Sequence, residues 1–307
     1  MGSLAYDDIQ TPFERRRDVL GGAACYFALA ASLYAPVRLV GVVGDDFRED
    51  DIARLARRRV DLAGLERRPG RSFRWLGRYD YDLSTAETLN TDLGVFADWR
   101  PHVPPAFRDS PFVFLANIDP EIQLAVLDQV ARPRLVVMDS MNYWLEYKHD
   151  AVAAVMARVD VVSLNEAEVR QFARTFSILR AATEILAQGP RALVVKRGEH
   201  GSVLFTRGSS FWSPAFPLDK IQDPTGAGDS FAGGFLGHLA RCGGSDDADL
   251  RRSVVHGTVS ASFAVERFGV EGIEAMTREA VVERYHALRE LVAIGAAAVS
   301  EPDPFPG

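Results

Sequence analysis

Residues 223–235, Asp-Pro-Thr-Gly-Ala-Gly-Asp-Ser-Phe-Ala-Gly-Gly-Phe, constrain this chain more than any other stretch. Thr225 to Gly228 read as a tight turn of small residues. From Ala227 onward the pattern predicts a helix of small and apolar residues ending near Ala240. Gly226, Ala227 and Gly228 leave almost no side chain over the first turn of that helix. Its unpaired N–H groups therefore face open space, a ready place for an anion. Into this positive corner the sequence puts one carboxylate, Asp229.

An aspartate in a first helical turn is ordinarily no more than good helix chemistry, stabilised by ~1 kcal/mol or less when exposed. The flanking glycines give it a second reading. A carboxylate beside an anion hole suits a reaction in which a phosphoryl group sits on the amides while the carboxylate deprotonates the attacking hydroxyl. Phosphoryl transfer needs mainly positioning and charge stabilisation, so a base of low pKa is adequate if its geometry is right. The stretch resembles the second signature of the ribokinase (PfkB) carbohydrate kinase family, which includes adenosine kinases. The resemblance implies that Asp229 is the catalytic base and that Gly226, Ala227 and Gly228 cradle the transferred phosphate. It also implies a three-layer α/β/α sandwich around a mostly parallel sheet, with a small inserted β lid.

Composition is compatible with this and narrows the alternatives. The 307 residues are 47% apolar, enough for a sizeable core. With 35 basic and 42 acidic residues the net charge is −7, which gives no footprint for nucleic acid or a membrane surface. Arg15 to Arg17 and Arg57 to Arg59 read as solvated faces. Cys25 and Cys242 are too few for a disulfide framework or a thiolate metal site, so a cytoplasmic location is expected. No apolar run is long enough to span a bilayer.

In chain order, Gly2-Ser3 followed by Asp7 resembles the end of the family's first strand, where the aspartate binds substrate hydroxyls. Almost no residues remain for that strand before Gly2. Gly21-Gly22 opens a helix over residues 23–33; the resemblance implies that both glycines let substrate approach the backbone. Where relatives carry an asparagine that contacts the sugar, this chain has Cys25-Tyr26. Tyr26 then reads either as a surface for a substrate ring or as core. Residues 38–43 form a strand, Gly41-Val42-Val43-Gly44-Asp45-Asp46 matches a family turn, and a helix runs to about Arg59. No dinucleotide fingerprint and no Walker A loop is present.

Residues 72–84 alternate in an aromatic β pattern, with Phe73, Trp75, Tyr79 and Tyr81 sharing a period of two. This predicts a lid of residues 72–100 partnered by 9–19. The body is then 1–8, 20–71 and 101–299, with a flexible tail over 300–307. Such an aromatic face covers substrate or pairs with a second lid, giving a homodimer; core packing is the alternative. From residue 111 strands at 112–116, 134–138, 159–163 and 191–196 alternate with helices at 120–131, 150–157 and 166–187, the rhythm of a parallel sheet. A hairpin over 202–216 and helices over 250–265 and 277–298 complete the pattern.

Asn165 and Glu168 read locally as a cap and a first-turn acid; in the family an Asn-x-x-Glu motif here helps hold magnesium. Lys196, Gly198 and Gly201 resemble the family's strand and Gly-rich turn along the nucleotide phosphates, with Lys196 in place of the usual threonine. The resemblance further implies nucleotide contacts at Thr225 and Gly269, and adds potassium beside Asp223 and Thr225 as an option. The expected function is ATP- and Mg2+-dependent phosphorylation of a primary hydroxyl of a sugar or nucleoside. The alternatives are a non-catalytic binder of nucleotide or sugar, and a nicotinamide-dependent oxidoreductase, which lacks its fingerprint.

Overall fold

The structure, a computed structural model, is described for residues 1–293. Twelve strands are formed: β1 (Ala5–Gln10), β2 (Arg15–Gly21), β3 (Val37–Val43), β4 (Val60–Arg67), β5 (Phe73–Tyr79), β6 (Ala86–Asp92), β7 (Phe112–Leu115), β8 (Leu135–Asp139), β9 (Val161–Asn165), β10 (Ala192–Lys196), β11 (Ser202–Thr206) and β12 (Ser210–Ser213). The helices are α1 (Ala23–Ala31), α2 (Glu49–Arg57), α3 (Pro120–Leu127), α4 (Asn142–Tyr147), α5 (His149–Met156), α6 (Glu166–Phe172), α7 (Ile178–Ala187), α8 (Ala227–Cys242), α9 (Asp247–Ala264), α10 (Glu271–Glu274) and α11 (Arg278–Leu291).

The main sheet has the order β12-β11-β10-β9-β8-β7, with β7 to β10 parallel and β11 and β12 antiparallel. Its central strands are near-continuous apolar runs because both faces are covered. Val113, Leu115, Val136, Met138, Val162, Leu164, Leu193 and Val195 pack under α3, α5, α6 and α7. Phe114, Leu135, Val137, Val161 and Val194 face the other way, under α8 and α9. Two helical layers thus enclose one sheet. Residues 1–4 extend it: the Ala116 amide donates to Met1 O at 3.0 Å and the Gly2 amide to Val40 O at 3.4 Å, joining β7 to the parallel pair β3–β4. An apolar cavity of about 380 Å3 lies between β3 and β7 beside Met1, and none of the site residues expected above lines it.

A second sheet, β2-β1-β5-β6, stands off the body, with β1 continuing straight out of residues 1–4. The turn after β3 anchors it: the Gly44 amide donates to Ser72 Oγ at 2.9 Å and the Ser72 amide to Asp46 Oδ1 at 2.7 Å. Ser72 is fully buried there, immediately before β5. The expected lid span of 72–100 runs too far. Phe96 and Trp99 pack with Val40, Val42 and Phe107 in the body core, so the sheet ends at Asp92.

Other expectations need correction. The helix over 166–187 is two helices, broken where Arg174 takes a left-handed φ of 46°. Strands β4 and β6 were not expected; β6 (Ala-Glu-Thr-Leu-Asn-Thr-Asp) is exposed on both faces, so it has no apolar alternation to reveal it. Arg58 is not on a solvated face: its guanidinium caps the carbonyls of Ile273, Glu274 and Met276. Tyr81 lies past the end of β5, exposed and edge-on to Phe13. The helix expected over 277–298 is seen to Leu291; its last part and the 300–307 tail lie outside the described residues. Among the described residues no helix is long and apolar enough to cross a membrane.

Candidate active site

The helix α8 begins at Gly226, whose φ of 75° is left-handed. The position needs glycine for space as well, because a Cβ there would come within 2.4 Å of three ring atoms of Tyr26. No side chain caps this helix end. The Gly226 and Gly228 amides donate to no acceptor among the described residues. Ala227, expected in the cradle, instead closes the turn by donating to Pro224 O at 3.2 Å. The Asp229 amide donates to no other residue among those described. The Gly226 and Gly228 amides, with that of Asp229 beside them, are therefore free at this corner.

Two strand-end groups, Lys196 of β10 and the buried Asp139 of β8, stand with the half-buried Asp229 of α8 at this corner. Lys196, at the end of β10, reaches to within 3.1 Å of where a Gly228 Cβ would stand. It is not the free point charge expected: Nζ donates to Asp139 Oδ2 at 2.5 Å. Burial works against its charge, but Asp139 and then Glu168 raise its pKa above the usual lysine value. Asp139 was missed in the sequence. A carboxylate ending an apolar strand (Leu-Val-Val-Met-Asp) stands at the carboxyl edge, where parallel α/β sheets gather ligands. Asp229 itself is pushed up to about 7, first by burial and then by Asp139, with Lys196 opposing. Its carboxyl thus stands well above the low pKa expected from the sequence.

Asn165 and Glu168 form a full capping box at the start of α6. Asn165 Oδ1 accepts from the Glu168 amide at 2.9 Å and Glu168 Oε2 accepts from the Asn165 amide at 2.7 Å. Glu168 is 8% exposed, and burial pushes it up to about 7 against the pull of Lys196. No group of three His, Cys, Asp or Glu converges as a metal cage among the described residues. Glu168 keeps one oxygen outside the capping box. That donor set fits magnesium held mainly by phosphate oxygens and water, not a cage built by protein alone.

Asp7 of β1, expected on the acceptor side, is 4% exposed. Gly21 is obligatory beside it, since a Cβ would lie 1.9 Å from Asp7 Oδ2. Gly22 has a φ of 88° and its amide supports the Asp7 carboxylate. Burial, then the nearby Asp223, push Asp7 up to about 8. Tyr26 of α1 lies under the Gly226 turn, so one ring face is closed to any stacked ligand. Its buried hydroxyl has no partner among the described residues, and burial with Asp223 and Asp7 nearby raises its pKa. Asp223 is fully buried and clamps the turn: Oδ1 accepts from the Thr225 amide and Oδ2 from the Gly269 amide, each at 2.9 Å. Gly269 therefore spends its amide on Asp223 and not on a nucleotide. Gly201 closes the β10–β11 turn, where its carbonyl accepts from the Arg197 amide at 2.8 Å, while Gly198, with a φ of 55°, faces open space. Of the expected nucleotide contacts, Lys196 and Thr225 adjoin the anion corner; Gly201 and Gly269 have structural duties.

Comparison with known proteins agrees with this geometry. The profile of the pfkB family carbohydrate kinases matches residues 3–275. A cytidine kinase of Thermococcus kodakarensis is 31% identical over 246 residues, 78% of this chain and 87% of its own. A nucleoside kinase of Methanocaldococcus jannaschii is 29% identical over 181 residues, 59% of this chain and 57% of its own. Among solved structures, a Burkholderia thailandensis nucleoside kinase in complex with inosine superposes with a TM-score of 0.78 at 20% identity, covering 93% of this chain and 96% of that one. An Escherichia coli chain designated ribokinase II, in complex with ATP and Mg2+, does so with a TM-score of 0.76 at 20% identity, covering 94% and 97%. At such identities the two structures establish a shared ribokinase-like fold. With its profile match over most of its length, the chain belongs to the pfkB family of carbohydrate kinases and is a phosphotransferase with an alcohol group as acceptor.

Proposed function

We propose that this protein is an ATP-dependent nucleoside kinase that phosphorylates a primary hydroxyl. One observation carries the reading: Asp229 stands at a bare glycine helix tip beside the unpartnered Gly226 and Gly228 amides. The acceptor hydroxyl gives its proton to Asp229 as its oxygen bonds to the γ-phosphorus. The bond from that phosphorus to the bridging oxygen breaks, ADP leaves, and Asp229 returns the proton to solvent. The two amides and Lys196 meet the charge on the transferring group, an arrangement in which each donor of this kind is worth ~10²–10³ in turnover. Magnesium entering with ATP would be held through the remaining Glu168 oxygen beside Asn165, and would supply charge neutralisation on the β- and γ-phosphates. Asp7 orients the acceptor through its hydroxyls.

Support for a nucleoside over a free sugar comes from the cytidine and nucleoside kinases among the relatives and from Tyr26 in place of the family's sugar-contacting asparagine. The same reading carries a homodimer built through the lids, where the exposed edge strand β6 would find cover. The test is acceptor-dependent ADP release with ATP and Mg2+ over matched nucleosides and free sugars. A nucleoside monophosphate product is expected. Turnover confined to free sugars would overturn the choice of substrate, and none with any acceptor would overturn the kinase reading.

A further inference from the structure

We propose that Tyr79 is a positioning residue for phosphoryl transfer, holding the catalytic turn through Thr225 from the lid sheet. The inference rests on the kinase reading above. Tyr79 ends β5 and is 7% exposed, packed in a small cluster with Ile9 and Phe268. Its hydroxyl lies 3.0 Å from Thr225 Oγ1. Thr225 immediately precedes Gly226, whose left-handed conformation starts α8.

The lid reaches Thr225 by a second route as well. Asp223 accepts from the Thr225 amide through one oxygen and from the Gly269 amide through the other. Gly269 is itself seated against Val19 and Leu20 of the lid strand β2, where a Cβ would meet Val19 at 2.6 Å. Both routes converge on one residue.

A turn of glycines and alanine has no side chains of its own with which to resist displacement. Tyr26 bars the Gly226 backbone from moving inwards, because the ring lies directly beneath it. The Tyr79 hydroxyl holds the neighbouring residue from the lid side. Misplacing catalytic groups by ~1 Å can cost ~10²-fold in rate, so a tether on Thr225 acts on the amides without touching the phosphate. The position of the lid and the geometry of the cradle are in this way coupled.

The test compares Tyr79→Phe, Thr225→Val and the double variant for kcat, the KM for ATP, and ATP hydrolysis without acceptor. Phenylalanine keeps the ring in its apolar cluster and removes only the hydroxyl. Each single variant should lose about tenfold in kcat with the ATP KM within about twofold, and the double variant should be no worse than the weaker single. Thr225→Ser, which keeps a hydroxyl, should retain more of its kcat than Thr225→Val. Unchanged kcat in Tyr79→Phe, or losses that multiply in the double variant, would overturn the proposal. If Tyr79→Phe does not fold, Thr225→Val against Thr225→Ser decides: a loss about tenfold larger in Val supports the tether, and equal losses overturn it. Inactive wild-type protein would instead mark failure of the kinase reading, and this proposal would fall with it.

Discussion

Asp229→Asn should lower kcat by ~10²–10⁴ while the affinity for ATP stays within about threefold. Asparagine keeps the shape of the side chain but cannot take the acceptor proton. The fold should not suffer. The Asp229 carboxyl titrates near 7 in the folded chain against an ordinary aspartate value of 3.8 when unfolded. A raised carboxyl contributes stability that is fully present below pH 3.8 and is lost as pH rises through about 7. At pH 8 the wild-type chain bears the cost of a half-buried, desolvated anion near Asp139, and the variant does not. Thermal unfolding should therefore show Asp229→Asn equal to wild type in acid and more stable at pH 8. Near-wild-type turnover would remove Asp229 from the role of base, whatever the melting curves show.

The second large effect is expected at Asp7. Asp7→Asn should raise the acceptor KM by ~10-fold, roughly the worth of one neutral hydrogen bond, and leave the ATP KM unchanged. Asp7 is held at about 8 by burial and by Asp223, so its stability contribution is lost between pH 3.8 and about 8. The variant should melt higher than wild type at pH 8.5, by at least the ~2–4 °C that ~1 kcal/mol produces in a chain of this size. Function would here be kept at the expense of stability. A variant that melts lower at pH 8.5 and keeps its acceptor KM would show that Asp7 is a structural group.

The parts legible in the sequence were those with local causes. The glycines around residue 226 announced a bare helix tip because a turn of that kind admits few other residues. Buried parallel strands such as β8 to β10 showed as apolar runs. Asn165 and Glu168 carried both of their readings in the open, and the capping box is now seen while the magnesium role remains a proposal. What the sequence hid was long-range pairing. Lys196 and Asp139 are 57 residues apart and Asp223 and Gly269 46 apart, so no local pattern links them. The Tyr79 hydroxyl was concealed by its own ring: period-two aromatics mark a strand face but not the partner across it. The upward shift of the Asp229 carboxyl has a cause no motif states, since its desolvation depends on which elements close over it.

The measurement that bears most directly on the base at the helix tip is the pH dependence of kcat/KM for the acceptor in wild-type protein with saturating ATP and Mg2+. An acid limb near pH 7 is predicted from the free enzyme's Asp229, with a further change near pH 8 as Asp7 titrates. A profile flat down to pH 5 would contradict an Asp229 base raised by its buried surroundings.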